Sequence, residues 1–375
     1  FLKLRLSWGQ NGNRGISSYE SLSTMDLARY VFGDGGSTSV GLYPTSMANP
    51  LLGWETSQSY NLGLDFTLFN NRLSGNIDLY STKTTDLLLE VSIPSMTGYD
   101  KYLTNIGETQ NRGIEVTLNS ENINTKDFSW STSLNFSANA NKILHLSGED
   151  LDGDGKEDDD IGKSRFIGYS MGSNYNYVFD GIWQEGDDFS IDKSAKPGDI
   201  KFKDISGNGS IGPEDRMVLH NNRPKFTMSM NNMFRYRDFT LSFLLDLRCG
   251  GYAANNWINP GTEYYNRCNQ LDLPYWTPEN PLNDRPSVGY SNPRGYGFYE
   301  KLTYLRLQDV SLAYSLPKSL IQKLTLNNVK VYVSGKNLAT WTGWHGWDPE
   351  HASGGRASKN GPLIKSWVLG LQISL

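Results

Sequence analysis

Asp204, Ser206, Asn208, Ser210 and Asp215 stand in one string, DISGNGSIGPED, at residues 204–215. Oxygen donors at positions 1, 3, 5 and 12, with a backbone carbonyl at position 7, are the ligand set of an EF-hand-like calcium loop. Gly209 at position 6 permits the sharp turn such a loop needs. Asp215 is shorter than the Glu usual at position 12, and only two of the four side-chain donors are charged, so an ion would be held weakly. A hydrogen-bonded Asx/Gly turn explains the same string equally well. Asp150, Asp152 and Asp154 repeat the first three ligand positions, followed by Asp158, Asp159 and Asp160. Position 12 there is Ile161, so a neighbouring Asp would have to substitute, and a solvated acidic loop is the plainer reading. Calcium at either string would stiffen a loop and catalyse nothing.

Flat side chains form the second group. Trp257, Tyr264, Tyr265, Tyr275 and Trp276 fall in one segment, and Trp341, Trp344 and Trp347 in another, beside His345 and His351. Aromatic faces stack on sugar rings. Trp257, Tyr264, Tyr265, Trp276, Trp344 and Trp347 are therefore candidate substrate contacts. The competing uses are a membrane-interface girdle and small cores inside long loops. Trp341 directly follows a strand and fits the girdle better.

Enzymatic signatures are thin. His145, His220, His345 and His351 form no HExxH motif and no zinc-type Cys/His cluster. There is no Walker motif or nucleophile elbow, so no catalytic function is expected. A net charge of -5 argues against a nucleic-acid partner. Cys249 and Cys268 leave a disulfide open.

The elements that hold these residues are strands. Phe128, Trp130, Thr132, Leu134, Phe136 and Ala138 take one phase, while Ser129, Ser131, Ser133, Asn135, Ser137 and Asn139 take the other. Alternate side chains point to opposite faces of a strand. The run therefore has an apolar face and a polar, uncharged one, as a wall between lipid and water requires. Spanning strands are expected near Leu2–Trp8, Ser59–Phe69, Arg72–Ser81, Arg112–Ser120, Asp127–Asn141, Lys225–Tyr236, Asp238–Arg248, Leu302–Tyr314, Asn328–Asn337 and Lys365–Leu375. The phase slips between Leu307 and Val310, which predicts a β-bulge. No stretch approaches the roughly 20 apolar residues of a transmembrane helix.

Connections alternate in length. Tight turns at Asn70-Asn71 and Arg237-Asp238 and fairly short links at 121–126 and 315–327 lie between long loops at 10–56, 82–110, 142–222, 249–300 and 338–363. Long loops on one rim and short turns on the other predict an outer-membrane β-barrel rather than a soluble sandwich. Strand parity puts every long loop outside the cell only if 142–222 is a single excursion. Tyr175–Trp183, though strand-like, must then stay out of the membrane.

Seven strings in order carry a family likeness: LRLSWGQNGN (4–13), NPLLGWETSQSYNLGLDF (49–66), NRGIEVTLN (111–119), FDGIWQ (179–184), KPGDIKFKDISGNGSIGPEDR (196–216), YLRLQDVSLAYSLPK (304–318) and VYVSGKNLATWTGWHGWDPE (331–350). Together they resemble the C-terminal half of SusC/RagA-like TonB-dependent transporters, over almost the whole chain. The resemblance implies an all-β fold, an antiparallel transmembrane β-barrel segment. These roughly ten strands would belong to a larger, 22-stranded barrel with long extracellular loops. It also implies an N-terminal plug, a SusD-like surface lipoprotein as lid, and energy delivered by TonB through a segment before the plug. Such proteins sit in the outer membrane of Gram-negative bacteria, as dimers of barrel–lid pairs, and import oligosaccharides or peptides. Residues 1–375 are read as the C-terminal part of such a barrel, because Phe1 begins mid-strand and neither a plug nor the first barrel strands are present. Leu375 stands where outer-membrane proteins often end in an aromatic residue. Oligosaccharide import is the favoured reading. Peptide import, a passive porin-like channel and a soluble glycan-binding protein are its rivals.

Overall fold

The computed structural model describes residues 1–16, 19–32, 35–93, 95–99, 101–258, 272–317, 321, 326–352 and 363–374. Ten strands form one antiparallel sheet. They are β1 Leu2–Asn13, β2 Glu55–Leu68, β3 Leu73–Thr85, β4 Glu108–Asn124, β5 Phe128–His145, β6 Phe226–Tyr236, β7 Phe239–Cys249, β8 Tyr304–Ser315, β9 Asn328–Thr342 and β10 Ser366–Ser374. Each pairs with its neighbour in sequence, so the sheet is a simple meander. All ten expected strands are present. Several run further at the long-loop end, β4 beginning at Glu108 rather than Arg112.

The register shows why this sheet is a wall. Leu4, Leu64, Ile77, Val116, Phe136, Met228, Leu247, Leu305 and Trp341 lie opposite one another across β1 to β9. One residue along, on the other face, run Lys3, Asp65, Asn76, Thr117, Asn135, Ser229, Asp246, Arg306 and Thr340. Every member of the first row is apolar and every member of the second is polar or charged. The apolar face is partly open even on inner strands of the sheet: Leu62 and Leu312 are 43% and 45% exposed. Burying such a face is worth about 25 cal/mol per Å², which in a membrane the hydrocarbon supplies.

Turn chemistry closes the short-turn rim. Phe69, Asn70 and Asn71 adopt φ of 55°, 54° and 68° between β2 and β3, and Arg237 adopts 50° between β6 and β7. Asn tolerates this left-handed conformation because its short amide bonds to nearby backbone. The expected bulge is present. Gln308 is the extra residue of β8 against β7, where Asp309 pairs Leu244 and Leu307 pairs Leu245. On its other side β8 faces Asn337 and Leu338, and Asn337 has φ 55°.

The long excursion after β5 folds as a body of its own. Ser173–Tyr177 pairs with Arg216–Asn221, and Phe179–Ile182 with Ile200–Phe202, in two small sheets separate from the wall. The strand-like piece at 175–183 thus stays outside the barrel sheet. Tyr177, Ile182, Ile200, Phe202, Trp276, Tyr290 and Phe298 form its core, so the loop between β7 and β8 helps to build it. Among the described residues no helix is long and apolar enough to cross a membrane.

Candidate functional site

The polar face of the wall and the loops folded onto it make up the site. Near the start of the chain Arg5 bridges two strands. Its Nη2 donates to Asp65 Oδ1 and Asp78 Oδ2, both at 2.9 Å. Asn61 and Asn76 each donate an amide hydrogen to Asp78 at 3.0 Å. Gly63 makes room for this fork, since a Cβ there would fall 2.5 Å from Arg5 Cζ. Exposed ion pairs contribute little, but a network with fixed geometry holds a charged surface in one arrangement.

A second cation latches a loop. Arg306 of β8 is 3% exposed, and its Nη2 donates to both carboxylate oxygens of Asp348 at 2.8 Å. Its Nη1 donates to Glu350, and its Nε to Thr340 Oγ1 at 3.1 Å. Asp348 also caps the short helical turn Pro349–His351, accepting from the Glu350 amide. Segment 343–352 is therefore fastened across the polar face. Above it, Glu300 accepts from Asn255 Nδ2 at 2.6 Å and lies 2.5 Å from His345 Nδ1. Asn255, fully buried, also donates to the His345 carbonyl at 2.6 Å.

These contacts sort the aromatic candidates. Trp257 and Trp347 meet edge to face, with ring centroids 5.5 Å apart, and Trp347 is 50% exposed. Trp276 is buried in the loop core and donates its indole hydrogen to Gln184 at 2.8 Å. Trp344 is buried against Ala253 and Leu302. Trp276 and Trp344, 7% and 8% exposed, hold the loops together in this structure. Tyr264, Tyr265 and Cys268 lie outside the described residues. Trp341, 55% exposed, belongs to the apolar row, as a girdle residue would.

The two acidic loops are both held by hydrogen bonds to their own backbone. At 204–215, Asp204 accepts from the amides of Gly207 and Gly209 at 2.6 and 2.9 Å. Asn208 accepts from the Ser210 amide at 2.8 Å, and Ser206 donates its hydroxyl hydrogen to Asp204 at 3.2 Å. Asp215 is fully enclosed and accepts from the amides of Ile205, Ser206 and Gly212 at 2.8–2.9 Å. Burial alone would raise its carboxyl, but these hydrogen bonds outweigh it and hold the group below the usual carboxylate range. Asp204, Asn208 and Asp215 thus accept from their own backbone as in an Asx/Gly turn, and Asp150 accepts likewise from the amides of Gly153 and Gly155 at 2.8 and 3.0 Å. In the other loop Asp150, Asp152 and Asp158 bring carboxylate oxygens within 4.8 Å of one another. Asp154 instead turns to Lys156, 3.5 Å away. Asp158, not Asp154, completes this group of carboxylates.

Sequence reasoning passed over Arg5, Asp65, Asp78, Arg306, Asp348 and Glu350. The signal was there in part. Arg5, Asp65, Asp78 and Arg306 are charged residues on the polar phase of strands.

Residues 1–338 match the model of the TonB-dependent receptor-like β-barrel family. The chain belongs to the TonB-dependent receptors. It is 37% identical over 359 residues to TonB-dependent receptor P3 of Formosa agariphila, covering 93% of this chain and 36% of that protein. It is 30% identical over 397 residues to TonB-dependent receptor SusC of Bacteroides thetaiotaomicron, covering 99% of this chain and 37% of that one. Among solved structures it resembles the RagAB peptide transporter, with TM-score 0.76 and 26% identity over the whole chain and 41% of that one. The chain thus spans little more than a third of the curated relatives it matches, within the barrel of an outer-membrane receptor and transporter family. That family is non-enzymatic.

Proposed function

We propose that this TonB-dependent receptor chain is the C-terminal barrel section of an importer that takes up oligosaccharides under a SusD-like surface lipoprotein. The long loops face outside and the short turns face the periplasm. The observation that carries the reading is the corner made by half-buried Trp257 and exposed Trp347 beside His345 and Glu300, fastened over the polar face by Arg306. An aromatic corner next to hydrogen-bonding groups suits a sugar ring and its hydroxyls. The lid captures cargo against these loops and closes. TonB then acts through the N-terminal part of the full protein to move the plug. Two barrel–lid pairs associate as a dimer. A calcium ion at Asp150, Asp152 and Asp158 would stiffen one outer loop.

A second reading has its own support. The RagAB structure is described as a peptide transporter, and this chain resembles it along its whole length. Peptide cargo would use the same architecture, with the charged groups around Arg5 meeting peptide termini.

Native mass spectrometry of the full-length protein, extracted from outer membranes in mild detergent, tests both. A co-purifying lipoprotein with retained glycan mass is expected. Retained peptide mass would move the cargo to the second reading. A bare barrel without a lipoprotein would refute the lid and leave a passive channel.

A further inference from the structure

The apolar face of the wall carries a cationic cleft of about 600 Å³ near the long-loop rim. It arises where β5 outruns β6. Strand β5 continues to His145, but its pairing with β6 ends at Ser137 opposite Thr227. Leu79, Ile114 and Ala138 form the floor and lie opposite one another in the register. They share the phase of Ile77, Val116 and Phe136, so the floor belongs to the lipid-facing surface. Tyr80, which lies against Gly113 from the polar side, does not line the cleft.

Arg112, Arg223 and Lys225 line it, and no carboxylate does. In a chain of net charge -5 this local sign is unusual. None of the three cations is in an ion pair among the described residues, and all three are exposed. The register sets the height of Arg112 in the wall. Arg112 lies in the row of Trp8, Tyr60, Ser81 and Ala140. Trp8 and Tyr60 are 62% and 55% exposed on the apolar face. Trp and Tyr gather where hydrocarbon meets headgroups. The floor thus reaches hydrocarbon while the cations stand among headgroups. Guanidinium groups pair in fixed geometry with phosphate oxygens, and an acyl chain covers Leu79 and Ile114 without leaving lipid.

We propose that this cleft binds the phosphate-bearing headgroup of an outer-membrane lipid. The inference rests on the placement of the long loops outside and not on what is imported, so its failure leaves the cargo reading untouched.

The test uses the full-length protein in mild detergent, titrated by native mass spectrometry with dihexanoyl phosphatidic acid, dihexanoyl phosphatidylcholine and inorganic phosphate. Phosphatidic acid should bind, phosphatidylcholine more weakly, and inorganic phosphate should not displace the lipid at equal concentration. Combining Arg112→Gln, Arg223→Gln and Lys225→Gln should weaken phosphatidic acid binding at least about tenfold, the size of one lost charge-assisted hydrogen bond. Arg112→Lys alone should retain most of it. Heat-modifiable gel mobility confirms that each variant is a folded barrel. Unchanged binding in the triple variant overturns the proposal. So does equal displacement by inorganic phosphate, which would mark a site for a free anion. Loss of a protein dimer with lipid binding unchanged would overturn it as well, by assigning the cleft to a protein interface.

Discussion

Replacing Arg306 by Leu should unfasten the loop at 343–352 while leaving the barrel intact. Arg306 and Asp348 have side chains only 3% and 4% exposed, joined at 2.8 Å. Removing one partner strands the other carboxylate away from water, which costs about 3–5 kcal/mol in comparable buried pairs. Glu350 adds little to this figure, because its side chain is 49% exposed and water replaces the contact. The cost is relieved when the loop lifts and Asp348 reaches solvent. At about 1.4 kcal/mol per factor of ten, loop opening should rise by roughly two to three and a half powers of ten. Hydrogen–deuterium exchange on the full-length protein reads this directly, as faster exchange at residues 344–352 with β8 and β9 still protected. Combining Arg306→Leu with Asp348→Leu removes both charges and should recover much of the protection, since an apolar replacement for a buried pair is often neutral or stabilising. Unchanged exchange in the single variant would refute the latch. A double variant as open as the single one would refute the stranded charge as its cause.

Three further outcomes follow from other contacts. Gly75→Ala drives a Cβ into the Thr117 carbonyl of the neighbouring strand, so the backbone must shift; the fraction of folded, heat-modifiable barrel should fall, and a wild-type yield would show that the strands can part. Asp215 has its carboxyl held low in the folded loop, so its stabilisation is present above the ordinary carboxylate pKa and lost as pH falls through the lower folded value. Protection of 204–215 should therefore persist through mild acid and fail only in strong acid, and Asp215→Asn should weaken it at neutral pH by about 1–3 kcal/mol, measured by exchange across a pH series. Millimolar calcium should slow proteolysis within 150–160, and Asp150→Asn with Asp158→Asn should abolish the effect; indifference to calcium would make that loop a hydrogen-bonded turn and nothing more.

The wall was legible because its information is local. A period of two needs only a dozen residues to declare itself, and each strand of the sheet states its own two faces. The slip at Leu307–Val310 was visible for the same reason, as one residue too many between two phases. The ends of β4 and β5 were not, since Glu108 and His145 are held by pairing with each other and break the simple alternation. The loops follow a different rule. Trp276 and Trp347 look alike in composition and surroundings, yet one is buried against Tyr177 and Phe202 while the other stays half in water. What separates them is contact with segments about 100 residues away, which no window along the chain can register.

The same contrast bears on where selectivity resides in this receptor. A barrel strand has little freedom: one face must suit lipid, and a shift of one residue would turn every apolar side chain inward. The charged groups of the polar face therefore sit at heights dictated by the pleat. Arg5 reaches two carboxylates only because Gly63 leaves a gap opposite it. The loops carry no such constraint and can vary their aromatic corners freely, provided an anchor returns each one to the wall. Arg306 is such an anchor. It is a residue of the wall, on the polar phase, spending its charge on Asp348 and Glu350 of the loop. Cargo preference should accordingly transfer with segment 343–352 when the loop is grafted between receptors that keep an arginine at this point of the wall. It should fail to transfer where that arginine is missing, however faithfully the tryptophans are copied.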